Sequence, residues 1–325
     1  MSRALVWARR WGVSLASLVG GLVTLFVFRR GLPNVGWIVG YLLLLWLLVA
    51  LVAQLREALE ARGHRFVLTA ADYTIQSLYH GILLFLLPPY YAATTLGSGN
   101  VVFLLVLVAL ALLVTFDPWY RLIVHPRRWL RYAFFLVSIF AALNVALPLV
   151  GVPPYPSLVA SAFVAMLALA PAVRHTRQLP WRGALEATAT AGLVAAVLVA
   201  LAPGVIPPAP LTMARATLAR GVAGSEPIDP LGRTLRAAEV RNGLVAFTAV
   251  YAPAGLRQPI EHVWRRNGQV MQTVRLSPVL GGRREGFRTY SRKTSFPADP
   301  VGDWCVDVMT SSGQLIGRLC FAVTA

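Results

Sequence analysis

Hydrophobic and polar positions divide this chain at about residue 205. Before that point seven apolar runs follow one another: Trp11–Phe28, Trp37–Ala53, Phe66–Leu87, Val101–Phe116, Tyr132–Val150, Tyr155–Val173 and Gly183–Leu201. Each has about the length needed to cross a ~30 Å hydrocarbon core as a helix. The pattern predicts a membrane α-helical bundle of about seven transmembrane helices. Beyond Gly204-Val205-Ile206-Pro207-Pro208-Ala209-Pro210, whose prolines cannot continue a helix, the chain turns polar and rich in turn residues. There it predicts a small all-β, sandwich-like soluble domain. The expected domains are residues 1–205, a Pro-rich linker at 206–212, and residues 213–325.

Within the last domain the strand signals are local and clear. Leu244–Tyr251 is β-branched and aromatic, and Asn267-Gly268 separates Ile260–Arg265 from Val270–Leu276, a strong hairpin signal. Gly286–Thr294 is a further candidate. The final hairpin, Trp304–Thr310 and Leu315–Val323, fixes its own register. A turn centred on Ser312-Gly313 sets Cys305 opposite Cys320, Asp307 opposite Arg318, Trp304 opposite Phe321 and Val306 opposite Leu319. One register thus pairs the only two cysteines, opposite charges and two aromatic rings. A Cys305–Cys320 disulfide is expected, and two buried free thiols are the alternative.

Positive charge alternates between the runs. Thirteen arginines lie before the first run and in the second, fourth and sixth loops; only Arg29 and Arg30 lie on the other side, and the third loop (Ala92–Asn100) and fifth (Gly151–Pro154) have none. The positive-inside bias puts the N-terminus in the cytoplasm, and seven crossings put the C-terminal domain outside. For a bacterial inner membrane that side is the oxidising periplasm, which suits the cysteine pair. A cleaved signal peptide is not expected, because the first run is long and Arg29-Arg30 follow where small residues should. The net charge of +17 is not read as nucleic-acid binding; in the membrane half the arginines read as topology-setting residues facing anionic lipid, and no nucleic-acid partner is expected.

The segment Ala216–Val323 resembles an uncharacterised bacterial family, the domain of unknown function 2914. The residues that carry the likeness are Glu226-Pro227, His262-x-Trp264 before Gly268, Ser291 with Lys293, Gly302-x-Trp304, Gly313 and Phe321. The whole arrangement is similar to proteobacterial inner-membrane proteins with no assigned activity. The resemblance implies a small β-sandwich-like domain and supplies no catalytic residues.

Little in the sequence looks catalytic. Zinc-protease, phosphate-loop and nucleophile-elbow motifs are absent. The soluble domain has one histidine, His262, which alternates with Trp264 on one strand face and reads as a core pair. No cofactor and no metal site are expected. Two groups remain candidates. In the third run Asp72, Gln76 and His80 recur at helical spacing with Tyr79 beside them, and Pro88-Pro89-Tyr90-Tyr91 closes the helix. Ionisable groups inside a membrane usually face a bundle interior or wet cavity. Asn144, or Glu186 with Thr188 and Thr190, are possible partners. The stripe is either a small polar site or hydrogen-bonding glue between helices. The second group, Arg283, Arg284, Arg288, Arg292 and Lys293, is either a solvated face or a surface for anionic lipid or an envelope polymer.

The reading preferred is a non-enzymatic inner-membrane protein that anchors and presents a periplasmic binding or assembly domain. Its partners would be the lipid bilayer, with an anionic lipid, an envelope polymer or another membrane protein. The alternative is a carrier of a small solute, ion or lipid, or a lipid-modifying membrane enzyme, working through the third-run stripe.

Overall fold

The computed structural model describes residues 35–325. They form two compact units. One comprises Leu104–Ala146, Pro156–Ala202 and the described residues up to Pro88; the other comprises Pro89–Phe103, Leu147–Tyr155 and Pro203–Ala325.

The helical segments are α1 (Val35–Ala61), α2 (Arg65–Ala92), α3 (Val101–Thr115), α4 (Asp117–Trp119), α5 (Arg128–Leu149), α6 (Pro154–Leu167), α7 (Ala170–Arg177) and α8 (Trp181–Leu201). A π-helical turn, Tyr120–Val124, extends α4. Among the described residues three segments are long and apolar enough to cross a membrane: α5, α6 with α7, and α8. A fourth crossing results if α3 and the continuation Asp117–Val124, bent by 97°, are one broken span. The expected count of seven is therefore not supported. The first run lies outside the described residues. α1 contributes an apolar stretch at Leu42–Val52, and Asp72, Gln76 and His80 dilute the hydropathy of α2. α8 leaves Leu193, Val194, Val197, Leu198 and Leu201 exposed, a band suited to hydrocarbon rather than water. α2 ends at Ala92, directly after Pro88-Pro89-Tyr90-Tyr91. The two prolines fall inside its last turns, and Ala93 donates to the Pro89 carbonyl at 3.1 Å.

In the second unit two sheets pack face to face. One has the order β2-β1-β4-β9, with β1 Thr212–Ala223, β2 Glu226–Leu231, β4 Leu244–Tyr251 and β9 Phe287–Lys293. The other has the order β3-β11-β10-β6-β7, with β3 Thr234–Arg236, β6 Ile260–Arg266, β7 Gln269–Arg275, β10 Gly302–Thr310 and β11 Leu315–Thr324. A short helix α9 (Ala237–Val240) leads from β3 toward β4, and β5 (Arg257–Gln258) and β8 (Val279–Leu280) form a separate ribbon. Between the sheets Trp264, Trp304, Phe321, Leu218 and Leu244 form one apolar cluster, and Val250, Ile260, Val308 and Ile316 another. The β10–β11 register is the expected one through Val308, where a bulge shifts it. Cys305 and Cys320 are disulfide-bonded, with Cα atoms 4.1 Å apart.

β4 is buried on both faces. Its inner residues meet the core, and its outer ones, Val245, Phe247 and Ala249, are covered too. The β1–β2 hairpin explains this. Glu226 pairs with Ala223, eight positions along β1 from Arg215, or about 26 Å of straight strand. Yet the Glu226 carboxylate meets Arg215 at 3.0 Å and Arg288 of β9 at 2.9 Å. Those arginines flank Ala249 in the ladder. The hairpin tip must therefore double back over the outer face of its own sheet.

Candidate functional site

On α2, Gln76 and Asp72 meet the end of α3 and the segment that follows it. Gln76 and His80 are buried and Asp72 is half-buried. Gln76 Nε2 donates to the Val114 carbonyl at 3.1 Å and to Asp117 Oδ1 at 2.7 Å. Asp72 Oδ2 lies 3.6 Å from His125 Nε2 beyond the bend. Tyr79 packs on Phe134, which Tyr120 also meets edge-on. The chain opens at Phe116, in extended conformation, and Pro118 sits in the first turn of α4 where its missing N–H costs nothing. Carbonyls freed at such a break need outside donors, and Gln76 supplies one. Asp117 was not among the residues singled out from the sequence. The signal was an acid followed by proline directly after an apolar run.

Glu186 is not brought to this group. It is exposed and paired with Arg182 one turn away at 2.9 Å. Thr188 and Thr190 bond carbonyls of their own helix, and Asn144 is buried in α5. Among the described residues no three of His, Cys, Asp and Glu gather as a metal site would require.

The basic stretch of the β unit splits by strand alternation. Arg288, Tyr290 and Arg292 point outward from β9, while Thr289, Ser291 and Lys293 point inward. Lys293 therefore leaves the exposed group. Its ammonium donates to Gln272 Oε1 at 3.2 Å and lies over the rings of Phe296 and Trp304. Burial pulls it below the ordinary lysine range. Arg283 and Arg284 sit on the loop before β9, with the Arg283 guanidinium 5.0 Å from the Phe287 ring centroid. An open groove of about 700 Å³ runs between this loop and the doubled-back hairpin tip, Gly224-Ser225.

The inward side carries a closed network. His262 bonds Thr248 Oγ1 at 3.0 Å and Ser291 Oγ at 2.9 Å. Ser291 also accepts from Trp264 Nε1 at 3.0 Å, and Thr248 bonds Thr289 at 3.0 Å. His262 and Trp264 are fully buried, so no substrate reaches the serine–histidine pair. Burial lowers the imidazole to about 4, and it stays neutral. This is a polar bolt between the sheets.

Nothing in either group of residues names a chemistry, and the comparisons agree. A model described as Family of unknown function (DUF5924) matches residues 2–246. The chain belongs to that family. A second model, Protein of unknown function (DUF2914), matches residues 257–323. That match covers His262, Trp264, Ser291, Lys293, Trp304, Gly313 and Phe321; Glu226-Pro227 fall within the DUF5924 match instead. No curated protein and no solved structure matches the chain. In the DUF5924 protein the boundary between the two models runs through the sandwich. β1 to β3 and the start of β4 lie on one side of it and β5 to β11 on the other, so each sheet takes strands from both.

Proposed function

We propose that this DUF5924 protein is a multi-pass protein of a bacterial inner membrane that presents its β unit in the periplasm as a non-enzymatic binding or assembly module. The observation that carries the reading is the make-up of that unit. Segments 89–103 and 147–155 belong to it, and they contain the two interhelical loops without arginine. Asn100 Nδ2 donates to the Leu315 carbonyl at 3.4 Å, and Arg318 donates to the Gly97 carbonyl at 3.3 Å. Two loops expected outside and a C-terminal domain expected outside are thus one compact body. The disulfide supports an oxidising side. The exposed β surface would engage an anionic lipid, an envelope polymer or another membrane protein. Reporter fusions at Gly97 and at Ala325 test the reading. Both should report a location outside the cytoplasm, and a cytoplasmic signal at Ala325 overturns it.

A second reading is a carrier or lipid-modifying enzyme. It is favoured by the Gln76–Asp117 hydrogen bond at a broken apolar helix, because discontinuous helices whose freed ends face polar groups recur at transport sites.

A further inference from the structure

The acids of the β unit are largely committed. Glu226 and Glu285 hold Arg288, and Glu226 also holds Arg215. Arg283 and Arg284 are exposed, and neither forms an ion pair among the described residues. They form one wall of the groove whose other wall is the Gly224-Ser225 tip, so the groove presents two guanidinium groups not neutralised by a described carboxylate. Beside them the β5–β8 ribbon sets exposed Arg257 opposite exposed Leu280. Cation and apolar side chain together are what a lipid interface favours and what water alone does not.

The groove also has a defined place. The Phe287 end of β9 pairs with the Val250 end of β4. Gly281 and Gly282 lie against Pro253 and Ala254 of the loop that follows β4. At Gly151 a Cβ would stand 3.4 Å from the Gly255 carbonyl oxygen of that same loop. Gly151 lies in the connection between α5 and α6, the first two of the three candidate spans. The two arginines are therefore at the end of the sandwich that the α5–α6 connection approaches.

We propose that the groove between the Gly224-Ser225 tip and Arg283-Arg284 binds the headgroup phosphate of an anionic phospholipid of the surrounding membrane. Guanidinium groups match phosphate oxygens in planar, two-point geometry. Leu280 would rest against the acyl boundary. The assignment rests on the membrane reading given above.

The test uses the full chain in phosphatidylcholine nanodiscs with a graded share of phosphatidylglycerol, reading amide exchange of residues 279–288. Protection should rise with phosphatidylglycerol. Each arginine near an anionic surface is worth about fivefold in affinity, so Arg283→Gln with Arg284→Gln should raise the half-saturating phosphatidylglycerol about 25-fold. Arg241→Gln, at the other end of β4, should change nothing. Equal exchange with and without phosphatidylglycerol overturns the proposal. So does equal protection by inorganic phosphate in phosphatidylcholine alone, which would assign the groove to a free anion, or protection only by a soluble anionic polysaccharide. A chain that fails to stay in the nanodisc overturns the membrane reading and this proposal together; a chain that stays but shows no lipid dependence overturns this proposal alone.

Discussion

Asp307 and Arg318 lie opposite each other in the β10–β11 ladder, and the guanidinium held by this buried carboxylate reaches on to the Gly97 carbonyl. Arg265 of β6 approaches the same carboxylate at 2.8 Å. One acid thus ties three strands and orients the arginine that meets an interhelical loop.

Removing that acid should be costly. Asp307→Ala leaves two arginines without their partner. Both are partly exposed and regain some water, so the cost should fall at or below the low end for a broken buried pair, about 2–3 kcal/mol. Urea unfolding of the detergent-solubilised protein, followed by tryptophan fluorescence, reads it. Amide exchange at residues 96–100 should also quicken. A change below about 0.5 kcal/mol would show that the cluster contributes no more than a surface pair.

Acid should loosen the sandwich through His262. Its imidazole lies at about 4 in the folded protein, against about 6.5 when unfolded. Between those values the unfolded chain binds the extra proton, so stability is complete above about pH 6.5 and is lost as pH falls toward 4. The full loss is about 3 kcal/mol. Unfolding midpoints from pH 4 to 7.5 measure it against His262→Gln. The substitution should lower stability at neutral pH and flatten the slope in this window. An unchanged slope would remove His262 as its source.

The Cys305–Cys320 bridge spans 15 residues of sequence, and a loop of that size is worth roughly 3 kcal/mol in the chain-entropy account. Mass mapping without reductant should recover the linked peptides. The Cys305→Ser, Cys320→Ser protein should melt earlier by a corresponding amount. Complete alkylation of both thiols in unreduced protein would refute the pairing.

The α2 stripe separates the two functional readings. Asp72→Asn with His80→Gln keeps hydrogen bonding and removes charge. Under the anchor reading each change costs no more than about 1–2 kcal/mol and complementation of a deletion strain stays full. Loss of complementation at normal membrane levels, checked by immunoblot, would transfer the argument to the carrier or enzyme.

What the sequence revealed was local. The register of β10 with β11 was legible because a turn and three matched pairs agree over a few residues, from Cys305 with Cys320 to Trp304 with Phe321. The inward position of Lys293 was also available, since it shares the parity of Ser291, but the charge run drew attention from the alternation. The doubled-back hairpin was not legible, because Glu226 meets Arg288 only after β1, β4 and β9 have paired. Asp117 lay hidden for a related reason. Its meeting with Gln76 depends on the bend at Phe116, and no helical periodicity reports a bend between two helices.

The boundary between the DUF5924 and DUF2914 matches has a practical meaning. A fragment beginning at Arg257 would carry β9 with its β4 neighbour gone, and β11 paired with β10 but without β3. Trp264, Trp304 and Phe321 would lose the opposing sheet, and His262 would lose Thr248. Such a piece is half a sandwich with its filling open to water. The DUF2914 stretch of this chain is thus a label on a sequence, and the smallest part that can be cut out, crystallised or swapped as a module begins no later than the first residue of β1.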